Sequence, residues 1–156
     1  MACTLLISSL KTTQSELFMK KEYKILIADR NSHVREFLRR EMLAEGYSVQ
    51  LAENGREVLK WAYHRESADL LILDPDLPDT EESLLLKKLN QRIPYLPVIL
   101  HTFYSDYMSA SKIIHPTKFV EKGGSSIEKL KKIVAEILSK TAGTGDEKWE
   151  TEDMHL

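Results

Sequence analysis

The chain has 156 residues, enough for one domain with a substantial core. Apolar residues make up 42% of it and charged residues 29%, and the net charge of −2 lacks the basic excess of a dedicated nucleic-acid binder. A single cysteine, Cys3, excludes a disulfide framework and a cysteine-based zinc site, and no apolar run approaches the roughly 18 residues of a membrane-spanning helix.

Residues 1–21 read as a leader without a clear period, and Met19 would serve equally well as a start. Tyr23 to Ala28 is a nearly continuous apolar run, the pattern of a strand buried on both faces. Asn31 or Ser32 caps a helix with Val34, Phe37, Leu38 and Met42 on one face, and Gly46 stops it. Tyr47 to Ala52 alternates as a second strand. Asn54 and Glu57 form a capping box for a helix carrying Val58, Leu59 and Ala62. Leu70 to Leu73 is the most apolar strand and is expected at the centre of the sheet. Asp79 and Glu82 are expected to cap the next helix, with Leu85, Leu86 and Leu89, which Pro94 ends. Pro97 to Leu100 is a fourth strand, Tyr104 to Ile114 a short helix, and Lys118 to Val120 a brief fifth strand. Ser125 and Glu128 box the start of a last helix carrying Ile127, Leu130, Ile133, Val134 and Ile137. Residues 141–156 open with turn formers and then carry five acids against one lysine, which predicts a disordered acidic tail after a domain spanning 22–140.

Strands that alternate with helices imply parallel pairing, right-handed crossovers and helices on both faces. Five such units predict an α/β fold built on an open, doubly wound parallel sheet. In such sheets a site forms at the carboxyl ends of the strands. Asp29, Asp74, Thr102 and Lys122 are polar groups at the ends of the first, third, fourth and fifth apolar runs, so the fold gathers them at one edge. Two carboxylates suit a hard divalent cation such as Mg²⁺. A hydroxyl and an ammonium add a hydrogen-bond donor and a positive charge. Together they suit a phosphoryl group, whose transfer is promoted by positioning and charge neutralisation, and a carboxylate can itself be the nucleophile.

These segments resemble the receiver domains of bacterial two-component response regulators over about residues 22–139. Ile25-Leu26-Ile27-Ala28-Asp29 looks like the acidic end of the family's first strand. Leu70 to Pro78 looks like its phosphoacceptor segment, with proline four places after the aspartate. Pro97 to Thr102 and Phe119 to Lys122 match its fourth and fifth strands. The resemblance implies a flavodoxin-like sheet of five strands in the order 2-1-3-4-5. It implies that Asp74 accepts a phosphoryl group from a histidine kinase or phosphotransfer protein. It further implies that Asp29, Asp74 and the backbone carbonyl of Asp76 hold Mg²⁺, and that Thr102 and Lys122 contact the phosphoryl oxygens. Thr102 and Phe119 would then switch a face that docks on a downstream protein target. On this reading the chain is a stand-alone, cytoplasmic receiver with no nucleic-acid or membrane partner. It is not an enzyme, beyond promoting its own phosphorylation and dephosphorylation.

The sequence departs from the family in places. Arg30 stands where the family usually has a second acid. A guanidinium about 5 Å from a divalent cation is opposed by roughly 6 kcal/mol before screening. Arg30 either replaces part of the metal charge by pairing with Asp29 or Asp74, or is a surface arginine paired with Glu53. Phe103 replaces a small residue after the hydroxyl and either narrows the phosphodonor's path or packs on the following helix. Gly123 replaces a proline, so the family's cis peptide there is expected to be absent. These departures support an alternative, a degenerate receiver that binds proteins without phosphorylation. Asp74-x-Asp76 also resembles the nucleophile motif of haloacid dehalogenase-like phosphatases, but those enzymes carry it on their first strand and need later acids that this chain lacks. Asp76 could place a carboxylate near the phosphoryl group and speed its hydrolysis. Of the five histidines none shows ligand spacing, and His101 is expected to be packed or hydrogen-bonded.

Overall fold

A computed structural model describes residues 21–113 and 116–143 of the chain. The apolar runs form β1 (Lys24–Ala28), β2 (Ser48–Ala52), β3 (Leu70–Leu73), β4 (Val98–Thr102) and β5 (Lys118–Glu121). Between and after them lie α1 (Ser32–Ala44), α2 (Gly55–Ala62), α3 (Glu82–Asn90), α4 (Tyr104–Ala110) and α5 (Ser126–Gly143). All pairings are parallel and the sheet order is β2-β1-β3-β4-β5, as expected. β3 is central and fully buried.

Alternation along the strands divides the core in two. Ile25, Ile27, Leu70, Ile72 and Ile99 face one side, where they meet Leu38 and Met42 of α1 and Leu130, Val134 and Ile137 of α5. Leu26, Ala28, Leu71, Leu73 and Leu100 face the other, against Val58 and Ala62 of α2 and Leu85, Leu86 and Leu89 of α3. Period-two strands between period-3.6 helices bury both faces of β1 after Lys24 and of β3, which is why Ile25–Ala28 and Leu70–Leu73 read as unbroken apolar runs.

The helix ends follow the sequence in part. Asn31 caps α1 by accepting from the amides of His33 and Val34. Gly46 ends it at φ +93°, a backbone region that favours glycine. Asn54 caps α2 at the Glu57 amide, and the Glu57 carboxylate reaches back to the Glu53 amide, one residue earlier than a standard box. Tyr63 Oη donates to the Lys88 carbonyl at 2.7 Å and ties α2 to α3.

Three expectations are corrected. Asp79 does not cap its own helix: α3 starts at Glu82, and its N-cap Glu81 makes no side-chain capping bond. α4 is seven residues long and stops at Ala110, short of the expected end at Ile114. α5 continues through Gly143, so Thr141 and Ala142 are helical, because the last turn is still propagating when the turn-forming residues begin. The rest of the acidic tail and all but the last residue of the leader lie outside the described residues. Among the described residues the cis peptide bond is Ile93–Pro94, and the Lys122–Gly123 bond is not cis.

Candidate functional site

Each of the four strand-end residues arrives at the same edge because its strand ends there in register. The Asp29 amide donates to Ala52 O and the Asp74 amide to Ala28 O, which carries the two carboxylates side by side past the ends of β1 and β3. The Lys122 amide donates to Thr102 O, which does the same for β4 and β5. Asp29, Asp74 and Thr102 are 1%, 6% and 0% exposed.

Lys122 joins the group from above. Its Nζ lies 2.7 Å from Asp29 Oδ2 and 2.5 Å from Asp74 Oδ2. The second oxygen of each carboxylate is also bonded. Asp29 Oδ1 accepts from the Asn31 amide at 2.8 Å. Asp74 Oδ1 accepts from the Asp76 amide at 3.0 Å and the Thr102 hydroxyl at 3.3 Å. Burial pushes the Asp74 carboxyl above the ordinary range. Lys122 and the Asp76 amide oppose this without cancelling it, and the charge of Asp29 adds to it. Burial works against the Lys122 charge, but its hydrogen bonds to Asp29 and Asp74 outweigh that and hold the ammonium above its usual value.

Two buried carboxylates with one ammonium leave a net negative pocket of oxygen donors. Among the described residues no third His, Cys, Asp or Glu side chain completes a metal cluster with them. This donor set fits Mg²⁺, which takes one or two carboxylates and keeps several waters.

Arg30 makes neither of its expected pairs. It is 56% exposed in its side chain and reaches Asp76 Oδ2 at 3.3 Å, across the mouth of the pocket. Glu53 is taken by Arg35 instead, at 3.3 Å. A buried carboxylate already bonded to Lys122 offers Arg30 less than an exposed one whose pairing costs no desolvation. Phe103 is exposed and forms the N-cap position of α4, with Lys122 Nζ 5.8 Å from its ring centre. It therefore stands at the mouth and not in the core.

Phe119 is apart from the pocket. It pairs in register with Leu100, two residues before Thr102. Its ring stacks on Tyr107 of α4 at 4.2 Å with planes 19° apart, and Tyr104 lies 6.4 Å away. His101 is 4% exposed and neither ring nitrogen has a hydrogen-bond partner, so of the two expected states it is the packed one. Burial, and then the charge of Lys122, lower its pKa to about 4, so it is neutral at pH 7.

Sequence reasoning missed Arg35 and the partner of Asp79. Arg35 Nη1 donates to the carbonyls of Asp29 at 2.6 Å and Arg30 at 3.2 Å and so latches the β1–α1 loop. Its place six residues after Asp29, one turn into the helix, is the only sequence signal for it. Asp79 accepts from the Gly55 amide at 2.6 Å and the Arg56 amide at 3.2 Å, at the amino end of α2. No local pattern signals that partner.

The response regulator receiver domain family matches residues 25–135, and the chain belongs to that family. It is 36% identical over 86 residues to the DNA-binding transcriptional regulator NtrC of Escherichia coli, a match covering 55% of this chain and 18% of that protein. The Klebsiella pneumoniae NtrC is 38% identical over 84 residues, again with 18% of that protein covered. The chain thus matches about a fifth of the length of these relatives. Among solved structures it is similar to the Thermotoga maritima response regulator TrrA in complex with Mg²⁺ and BeF. That likeness has 31% identity and a TM-score of 0.64, over 74% of this chain and 98% of the other. The receiver domain of AraT from Geobacillus stearothermophilus gives 25% identity and a TM-score of 0.66, over 79% and 98%. Phosphorylation and Mg²⁺ are typical of this family of two-component signalling domains. No helix among the described residues is long and apolar enough to cross a membrane.

Proposed function

We propose that this receiver accepts a phosphoryl group on Asp74 from the phosphohistidine of a histidine kinase or phosphotransfer protein and then switches a protein-binding face. The observation that carries the reading is the position of Lys122, bonded to both Asp29 and Asp74, with the Thr102 hydroxyl on the other oxygen of Asp74.

An Asp74 carboxylate oxygen attacks phosphorus as the bond from phosphorus to the imidazole nitrogen breaks. The imidazole leaves with the electron pair and takes up a proton. Lys122 and Thr102 stand where they can meet the incoming phosphoryl oxygens, and the Asp76 amide supplies a third donor. Asp29, Asp74 and the Asp76 carbonyl would hold Mg²⁺, which when bound neutralises charge on those oxygens. Withdrawal of Thr102 towards the phosphoryl group frees space behind β4. The Phe119–Tyr107 stack between β5 and α4 is the nearby element able to respond, and it borders exposed Phe103, Tyr104 and Met108. A downstream protein target reads that face. The domain promotes its own phosphorylation and hydrolysis and turns over no separate substrate.

A second reading is favoured by one observation. Arg30 and Asp76 pair across the mouth, so a cation already closes the place of the missing acid. A degenerate receiver would use its faces for binding without phosphotransfer. Intact mass after incubation with acetyl phosphate, with and without Mg²⁺, beside Asp74→Asn, decides between the two. One Mg²⁺-dependent phosphoryl group, lost in the variant, is the expected result. No adduct on the folded protein, with a conventional receiver labelling in parallel, would establish the second reading.

A further inference from the structure

We infer that Asp79 is a positioning residue for the phosphorylation site: it ties the β3–α3 loop to α2 and so holds the Asp76 backbone against Asp74. The inference deepens the receiver reading, and rests on it for the chemistry but not for the geometry.

The loop has eight residues, 74–81, between β3 and α3. Its fourth residue, Leu77, is buried, which pins the near half. Asp79 pins the far half. Both of its carboxylate oxygens are engaged, Oδ1 by the Gly55 amide and Oδ2 by the Arg56 amide. Thr80 donates to Oδ1 at 3.0 Å and fixes the carboxylate's orientation. Asp76 stands directly before Leu77 and three residues before Asp79, and its amide donates to Asp74 Oδ1 at 3.0 Å. Its carbonyl belongs to the same short backbone segment, so a loop free to swing moves donor and acceptor together.

Two features set this bond apart from a local helix cap. Asn54 already caps α2 at the Glu57 amide, so Asp79 is a second cap brought from 24 residues away. Meanwhile α3, which Asp79 could have capped locally, starts without a side-chain cap. Asp79 makes a long-range tie in place of a local cap. Gly55 completes the fit, because a Cβ there would fall on the Thr80 side chain. The amide bonds also hold the Asp79 carboxyl below its ordinary range despite opposing burial, consistent with a carboxylate held charged at a helix amino end.

The test compares Asp79→Ala and Asp79→Asn with Asn54→Ala in the full chain. Asn54→Ala removes a cap from the same helix without touching the loop. The first readout is hydrogen exchange of the Asp76 amide by NMR in the unphosphorylated protein, which needs no phosphotransfer. The second is the rate of Asp74 labelling by acetyl phosphate. Asp79→Ala is expected to lower Asp76 protection about fivefold and labelling about tenfold. Asp79→Asn, which keeps one acceptor, should recover part of both, and Asn54→Ala should leave both near wild type. Unchanged Asp76 protection in Asp79→Ala, or an equal loss in Asn54→Ala, would overturn the inference. A wild type that does not label at all would count against the phosphotransfer reading alone, since the amide readout still judges the role of Asp79.

Discussion

Arg30 pairs with the side chain of Asp76 at 3.3 Å, while the backbone amide of the same Asp76 bonds Asp74, the proposed phosphoacceptor, at 3.0 Å. The residue that departs most from the family pattern is thereby joined to the site through the loop and not through the buried carboxylates. The Arg30 side chain is more than half exposed, so solvent screens its charge and the full opposition of about 6 kcal/mol to a bound dication is not reached.

Restoring an acid is expected to strengthen the metal dependence. Arg30→Asp should lower the Mg²⁺ concentration for half-maximal labelling of Asp74 about tenfold, with Arg30→Ala between it and wild type. Because the pair is exposed, a double-mutant cycle of Arg30→Ala and Asp76→Ala on stability should give a coupling of no more than about 1 kcal/mol. A larger coupling would mean the pair is part of the fold. A half-maximal concentration unmoved by Arg30→Asp would remove Arg30 from the metal question.

Asp74 is held charged at a cost to the fold. Its native pKa is raised above the unfolded value, first by burial, so the native state binds more protons than the unfolded state between the two values. Stability is therefore lost as pH rises through that window and stays lost above it. Asp74→Asn, which cannot ionise, should melt higher than wild type at pH 7 by about 2–4 °C, the shift that roughly 1 kcal/mol gives in a domain of this size. The advantage should shrink as pH falls below the carboxylate range. Thermal melts at pH 7 and pH 3.5 check both, and a variant that melts lower at pH 7 would show that the bond to Lys122 outweighs the burial.

His101 gives the opposite slope. Its native pKa of about 4 lies below the unfolded value near 6.5, so the unfolded state takes up the proton first. The stability is present above pH 6.5 and is lost as pH falls towards 4, by up to about 3 kcal/mol. His101→Leu removes the titration and two unpartnered buried nitrogens, and should stabilise the protein by about 1–3 kcal/mol at pH 7. Urea melts of both proteins from pH 7 to 4.5 should diverge as pH falls, and parallel curves would place the titration elsewhere.

The Phe119–Tyr107 stack carries both packing and the proposed switch. Tyr107→Ala should cost about 0.5–1.5 kcal/mol beyond the area lost. It should also leave acetyl phosphate labelling of Asp74 near wild type, because Tyr107 touches none of the four strand-end groups among the described contacts. A loss of labelling in a folded Tyr107→Ala protein would show that the stack supports the pocket itself.

The sequence by itself determined the order of the elements, the parallel sheet and the four groups that meet at its carboxyl edge. Those are carried by short-range periods: alternating residues in the strands, i to i+4 faces in the helices, and a polar residue at each strand's end. Asp29, Asp74, Thr102 and Lys122 could be placed because a parallel sheet gives every strand end the same address. Only the tertiary structure decided the partners of Arg30 and Asp79 and the burial of His101 without a hydrogen bond. Arg30 had acids at Asp29, Glu53, Asp74 and Asp76 to choose from, and the choice follows from which of them are already paired or buried. Asp79 stands three residues before α3 in the chain but beside the amino end of α2 in space, and no local pattern distinguishes the two helices. His101 alternates correctly for a strand, yet whether a partner reaches its ring depends on what α1 and α5 bring across the sheet. Periodicity is a property of neighbours in the chain, whereas pairing is a competition among neighbours in space.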